Sequence, residues 1–185
     1  MNFIFILIAI VVLAVLWVIA IYNSLINLRN RSEEAMADIE VQEKRRFDLI
    51  PNLVNAVRGY MSHEASTLEK VTAARSAMMN AQSLGDKAEA DNMLTGALKS
   101  LFAVAESYPD LKANQNFLEL QRELSDTENK IQASRRFYNA NVRDFNIKIQ
   151  VFPNNIIAGM FKFTKLDLFD IADDSPAKNP VEVKF

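Results

Sequence analysis

The stretch "QNFLELQRELSDTENKIQASRRFYNANVRDFNIKIQVF", residues 115–152, decides the fold. Phe117, Leu124, Ile131, Tyr138, Phe145 and Phe152 recur in it at every seventh position. An α-helix turns once in about 3.6 residues, so this repeat keeps all six along one edge. In a strand, residues seven apart would lie on opposite faces. Three residues further on stand Leu120, Thr127, Ser134, Asn141 and Lys148, so the second half of the seam turns polar. The stretch reads as a long bundle helix over about 112–151 with one strongly apolar edge. A sharper reading of the same edge is coiled-coil pairing with another subunit, which polar seam positions help to specify.

Working back from that helix, "YPDL" (108–111) and "SLGD" (83–86) punctuate the chain as turns. Between them a helix over about 86–107 carries Leu94, Leu98, Leu101, Phe102 and Ala105 on one side. Leu53, Val57, Tyr60, Leu68, Val71 and Met78 mark another, over about 51–82. Leu25, Leu28, Ser32, Ala35, Ile39, Gln42, Arg46 and Leu49 follow steps of three and four, which predicts a first bundle helix over 23–49. That stripe is only half apolar, so it packs loosely or borders a partner. Pro51 lacks an amide hydrogen and pushes Ile50 from helical geometry, which predicts a kink or stop there. It also suits the first turn of a new helix. Arg45, Arg46, Asp48, Pro51 and Asn52 thus form an expected helix-break corner. The basic residues there favour a helix C-terminus or pair with Glu40, Glu43 or Asp48.

Four glycines in 185 residues are too few for the turns of a β-sandwich. The expected fold is all-α: an N-terminal transmembrane helix continuing into an antiparallel four-helix bundle over 23–152. If Pro51 and Pro109 only kink their helices, the alternative is one long hairpin standing on the membrane.

The anchor is the run from Phe3 to Ile21, in which every residue is apolar. At about 1.5 Å per residue it matches a hydrocarbon thickness of about 30 Å. No Lys or Arg precedes it and it is long, which argues against a cleaved signal peptide. Trp17 and Tyr22 lie toward its C-terminal end, with Tyr22 suited to the interface. Residues 1–22 are therefore the expected anchor. Arg29 and Arg31 follow the span directly, so basic-residue placement puts a short N-terminus outside and the main domain in the cytoplasm. The absence of cysteine fits a reducing compartment.

After Pro153, "PNNIIAGMFKFTK" groups Ile156, Ile157, Met160, Phe161 and Phe163. This apolar segment, 153–171, reads either as a tail folded onto the bundle or as an amphipathic foot for self-association or membrane contact. A polar, proline-bearing and mobile tail is expected over 172–185.

Catalytic chemistry finds little footing. The sole histidine, His63, stands in "HEAST", where a zinc protease would need a second histidine at Thr67. Ligation of a metal by Cys or His is limited to a single contact. The glycines at 59, 85, 96 and 159 are isolated, so no phosphate loop or Gly-x-Ser-x-Gly elbow exists. A net charge of −2 gives no basic surface for nucleic acid. No catalytic residue, metal or cofactor is expected.

The blocks "YNSLINLRNRSEEAMADIEVQEKRRFDLIPNLVNAVRGYMSHE" (22–64), "LEKVTAARSAM" (68–78) and "AVAESYPDLKANQNFLELQRELSDTENKIQASRRFYNANVRDFNIKIQVFPNNIIAGMF" (103–161) resemble the LemA family of bacterial membrane proteins. The resemblance covers nearly the whole chain from Tyr22 to Phe161. It implies one N-terminal membrane helix, a four-helix bundle, and no established enzyme activity or cofactor. Met36 stands where the family usually has tryptophan, and methionine fills the same apolar gap.

The expectation is a non-enzymatic protein of the bacterial inner membrane, partnered by the lipid bilayer and by copies of itself, that organises or remodels the membrane. The alternative is an adaptor or sensor regulating another membrane protein, such as a protease or kinase, through the half-polar face from Ser32 to Arg46.

Overall fold

The computed structural model describes residues 2–61 and 63–169. The expected tail over 172–185 lies outside the described residues. Six helices follow in order: α1 (Asn2–Arg58), α2 (Ala65–Asn80), α3 (Leu84–Ala105), α4 (Pro109–Lys112), α5 (Gln115–Lys148) and α6 (Asn154–Met160). The fold is all-α among the described residues. The chain divides into two compact units, Met1–Asp38 with Ser134–Leu168 and Ile39–Ala133 with Phe169–Phe185.

A stop at Pro51 does not occur: α1 runs through it as one helix of 57 residues. Proline removes the donor that would have met the carbonyl of Phe47, four residues earlier. Arg75 of α2 replaces that donor, its Nε meeting the Phe47 carbonyl at 3.3 Å. The same guanidinium lies 5.8 Å from the centre of the Phe47 ring. The helix ends instead after Arg58, where the amides of Tyr60 and Met61 both donate to the Val57 carbonyl. Met61 is buried there and fixes the exit. Of the expected corner, Arg45, Asp48, Pro51 and Asn52 are exposed on a continuing helix, whereas Arg46 is buried.

In the unit containing Ile39–Ala133, apolar side chains from α1, α2, α3, α4 and α5 share one core, among them Leu53, Val71, Leu101, Leu111 and Phe117. Short spacing puts them there: Val71, Ala74 and Met78 line one face of α2, and Leu94, Leu98, Leu101 and Ala105 one face of α3. The "SLGD" turn starts α3 with a capping box. The Ser83 hydroxyl accepts from the Asp86 amide at 3.0 Å, and the Asp86 carboxylate accepts from the Ser83 amide at 3.2 Å.

The seven-residue series on α5 is buried from Phe117 through Phe145. Phe152, its sixth member, leaves the seam: α5 ends at Lys148, and Phe152 lies beyond it with 78% of its surface exposed. The polar seam residues Thr127 and Asn141 are buried within the chain. Their side chains donate to carbonyls of their own helix, Glu123 at 2.7 Å and Phe137 at 3.0 Å. Four-residue back-bonding of this kind satisfies a polar group without a second subunit.

In the other unit, Ile21 and Leu25 of α1 pack with Phe145, Ile149, Ile157 and Ala158. The apolar run before them has no cover: Phe3 through Leu16 and Trp17 are exposed. Its length and composition suffice to cross a membrane.

Candidate functional site

Three features stand out from the packing. The first is α6 with its flanks. Its inward side, Ile157 and Ala158, sits against Ile21 and Leu25, where the apolar run of α1 ends. Tyr22 closes the contact: its ring centre lies 4.7 Å from that of Phe161 and 5.8 Å from that of Phe163. Phe163 also meets Phe145 edge-on at 6.1 Å. The five residues expected at a contact surface therefore divide. Ile157 is buried and Phe163 half-buried, so both belong to the packing, whereas Ile156, Met160 and Phe161 face outward. With seven residues α6 makes only two turns, and one side of it must serve the core.

Beyond α6 the chain is held to α5 in extended form. Asn146 clamps Leu166 from both sides, its Nδ2 donating to the Leu166 carbonyl at 2.8 Å and its Oδ1 accepting the Leu166 amide at 2.9 Å. The Tyr138 hydroxyl donates to the Asp167 carbonyl at 2.8 Å. Burial, and then the Asp167 charge, push the Tyr138 phenol above its usual range.

The second feature is an outward stripe on the same stretch of α5. Phe137, Ala140, Asp144 and Ile147 follow steps of three, four and three on the helix, Val151 stands just past its end, and all are exposed. Phe137 and Ile147 have 54% and 51% of their surface open. This is the spacing of a helix-pairing seam. In the sequence this stripe is a weaker signal than the seven-residue series on the other side of the same helix.

The third is a buried charge cluster in the unit containing Ile39–Ala133. Arg46, 1% exposed, sends NH1 to Asp91 Oδ1 at 2.8 Å and to Glu128 Oε2 at 2.7 Å. Its NH2 reaches Thr95 Oγ1 at 2.8 Å, and that hydroxyl donates to Glu128 at 3.2 Å. Arg46 thus pairs across helices, with Asp91 and Glu128. Arg45, exposed, lies 3.8 Å from Glu123. Ser32, Ala35, Ile39 and Arg46 are all buried, so the face from Ser32 to Arg46 is not available to a partner. His63 is exposed in the connection after α1. Among the described residues no group of three or more His, Cys, Asp or Glu is placed to hold a metal ion.

The profile of the LemA family matches residues 35–185. The chain is 34% identical over 155 residues to Protein LemA of Metamycoplasma hominis, an alignment covering 81% of this chain and 67% of that protein. It is 26% identical over 207 aligned residues to magnetosome protein MamQ 2 of Paramagnetospirillum magneticum, covering 93% and 76% of the two. Magnetosome protein MamQ of Magnetospirillum gryphiswaldense is 23% identical over 187 residues, covering 86% and 69%.

Proposed function

The chain belongs to the LemA family, and from that premise we propose that it is a membrane-anchored helical scaffold that assembles with copies of itself and organises the membrane holding it. The outward stripe on α5 carries this reading. Phe137 and Ile147 leave apolar surface open along α5, and Val151 does so just past its end, in the unit that also holds the anchor. A bilayer concentrates such chains and holds them at one height, so weak lateral contacts gain strength. Asp144 in the middle of the stripe disfavours a symmetric pair, which would set two like charges face to face. A contact between unlike faces escapes that repulsion and builds rings or arrays.

In this reading the helices around the core of the Ile39–Ala133 unit are the antiparallel four-helix arrangement expected from the sequence. The same reading has the helical domain on the cytoplasmic side, a side supported by Arg29 and Arg31 following the span. The adaptor alternative has lost the face first assigned to it. Its remaining support is a groove of about 530 Å³ bordered by Val54, Arg58, Met61, Leu68 and Thr72.

The test compares the mass of gently solubilised full-length protein with that of the Phe137→Glu, Ile147→Glu double variant. A large discrete assembly that shrinks in the variant, with helicity unchanged, supports the scaffold. Monomers in both samples exclude it.

A further inference from the structure

We infer that α6 and its flanks form a second membrane contact, an interfacial foot that buries Phe152, Ile156, Met160 and Phe161 at headgroup level and sets Lys162 and Lys165 against anionic lipid phosphates. The inference rests on the anchorage of α1 in a bilayer, not on self-assembly. Its first support is position. The inward side of α6 packs on Ile21 and Leu25. Ile21 is the last residue of the apolar run, and Leu25 lies about 6 Å further along α1. A bilayer surface that crosses α1 where its apolar run ends passes beside α6.

The second support is composition. Phe152 and Met160 are 78% and 67% exposed, and Ile156 and Phe161 are open as well. Four large apolar side chains exposed within ten residues present surface that water hydrates unfavourably. From Ile149 to Leu166 the charged residues are Lys162 and Lys165 alone, both exposed. Apolar side chains followed closely by two lysines, with Asp167 the first acidic residue after them, are the chemistry of a segment lying in an anionic interface. Tyr22, its ring packed at a tilt against that of Phe161, adds an aromatic with a polar tip at the same level. A subunit contact would also cover the apolar residues, but it would give no reason for charge of one sign.

The chain has no cysteine, so single-cysteine variants can be labelled without further changes. Full-length Ile156→Cys, Met160→Cys and the control Glu34→Cys would each carry a nitroxide spin label. They would be reconstituted in phosphatidylcholine vesicles with and without phosphatidylglycerol. Glu34 is exposed and about 20 Å beyond Ile21 along α1. Relaxation at 156 and 160 should shift from the water-soluble nickel reagent toward lipid-dissolved oxygen, while Glu34 stays with nickel. The shift should be larger with phosphatidylglycerol, and Lys162→Gln with Lys165→Gln should remove that difference. Labels at 156 and 160 that follow nickel as Glu34 does would overturn the proposal. So would labels shielded from both reagents, which would mean that protein covers the face. Oxygen-dominated relaxation indifferent to lipid charge would overturn the role of the lysines. Assembly mass, measured on the same preparations, reports separately on the scaffold.

Discussion

Arg75 gives its Nε hydrogen to the carbonyl of Phe47, the group that Pro51 leaves without its helical donor. A proline that should end a helix is thereby accommodated by a side chain from the next one. Replacing Arg75 with Met should leave that carbonyl unpaired and cost about 1–3 kcal/mol. In a Pro51→Ala background the restored amide can take the carbonyl, and the same replacement should cost clearly less. Denaturant unfolding of the four proteins, followed by circular dichroism, measures the coupling. Equal losses in both backgrounds would mean that Arg75 acts only through its stacking on Phe47.

Arg46 is the charge on which the interior depends. Removing it as Arg46→Met takes the buried counter-charge away from Asp91 and Glu128, and should destabilise by about 3–5 kcal/mol. Arg46→Lys keeps the charge but loses the fork that reaches Asp91, Glu128 and Thr95 together, and should fall between. The midpoint of urea unfolding orders the three proteins. Lysine equal to arginine would reduce the site to a point charge.

These two sites mark where reading the sequence stopped. Helix type was legible throughout, because Phe117 to Phe145 and the shorter stripes on α2 and α3 have helical periods. The anchor was legible from composition alone. Pro51 misled because its local rule is sound and the compensating donor lies 24 positions away, at Arg75. Arg46 could be placed on a stripe that turned out to be buried. Its partners Asp91 and Glu128 could not, since pairing across helices has no local signature. The halves of α6 were inseparable because seven residues are too few for a period to emerge.

Asp86 should make stability depend on acid. Hydrogen bonding from Ser83, through its side chain first and its backbone amide second, holds the Asp86 carboxyl below the usual carboxylate range. The folded chain therefore favours the charged form. That contribution is complete above the ordinary aspartate value, about pH 4, and is lost as pH falls through the lower folded value. Ser83→Ala should be less stable at neutral pH by about 1 kcal/mol, and the gap should narrow in acid. A gap of constant size from pH 7 to about pH 3 would show that the carboxylate takes no part in the cap.

The clamp of Asn146 on Leu166 should govern how firmly the segment after α6 lies on α5. Its two hydrogen bonds use both halves of one amide, so Asn146→Ala removes donor and acceptor together. Losing about 1.4 kcal/mol of local stability corresponds to roughly tenfold faster opening. Hydrogen exchange at the Leu166 amide should accelerate by about that factor, with the α3 core unaffected. Asn146→Asp separates the halves: it still accepts the Leu166 amide but sets a negative oxygen against the Leu166 carbonyl. Its exchange should lie between wild type and Asn146→Ala. Tyr138→Phe, which releases only the Asp167 carbonyl, should loosen the neighbouring residues less than Asn146→Ala does. Exchange at Leu166 unchanged in Asn146→Ala would assign the hold to the packing of Phe163 and Leu166 against Phe145 and its neighbours.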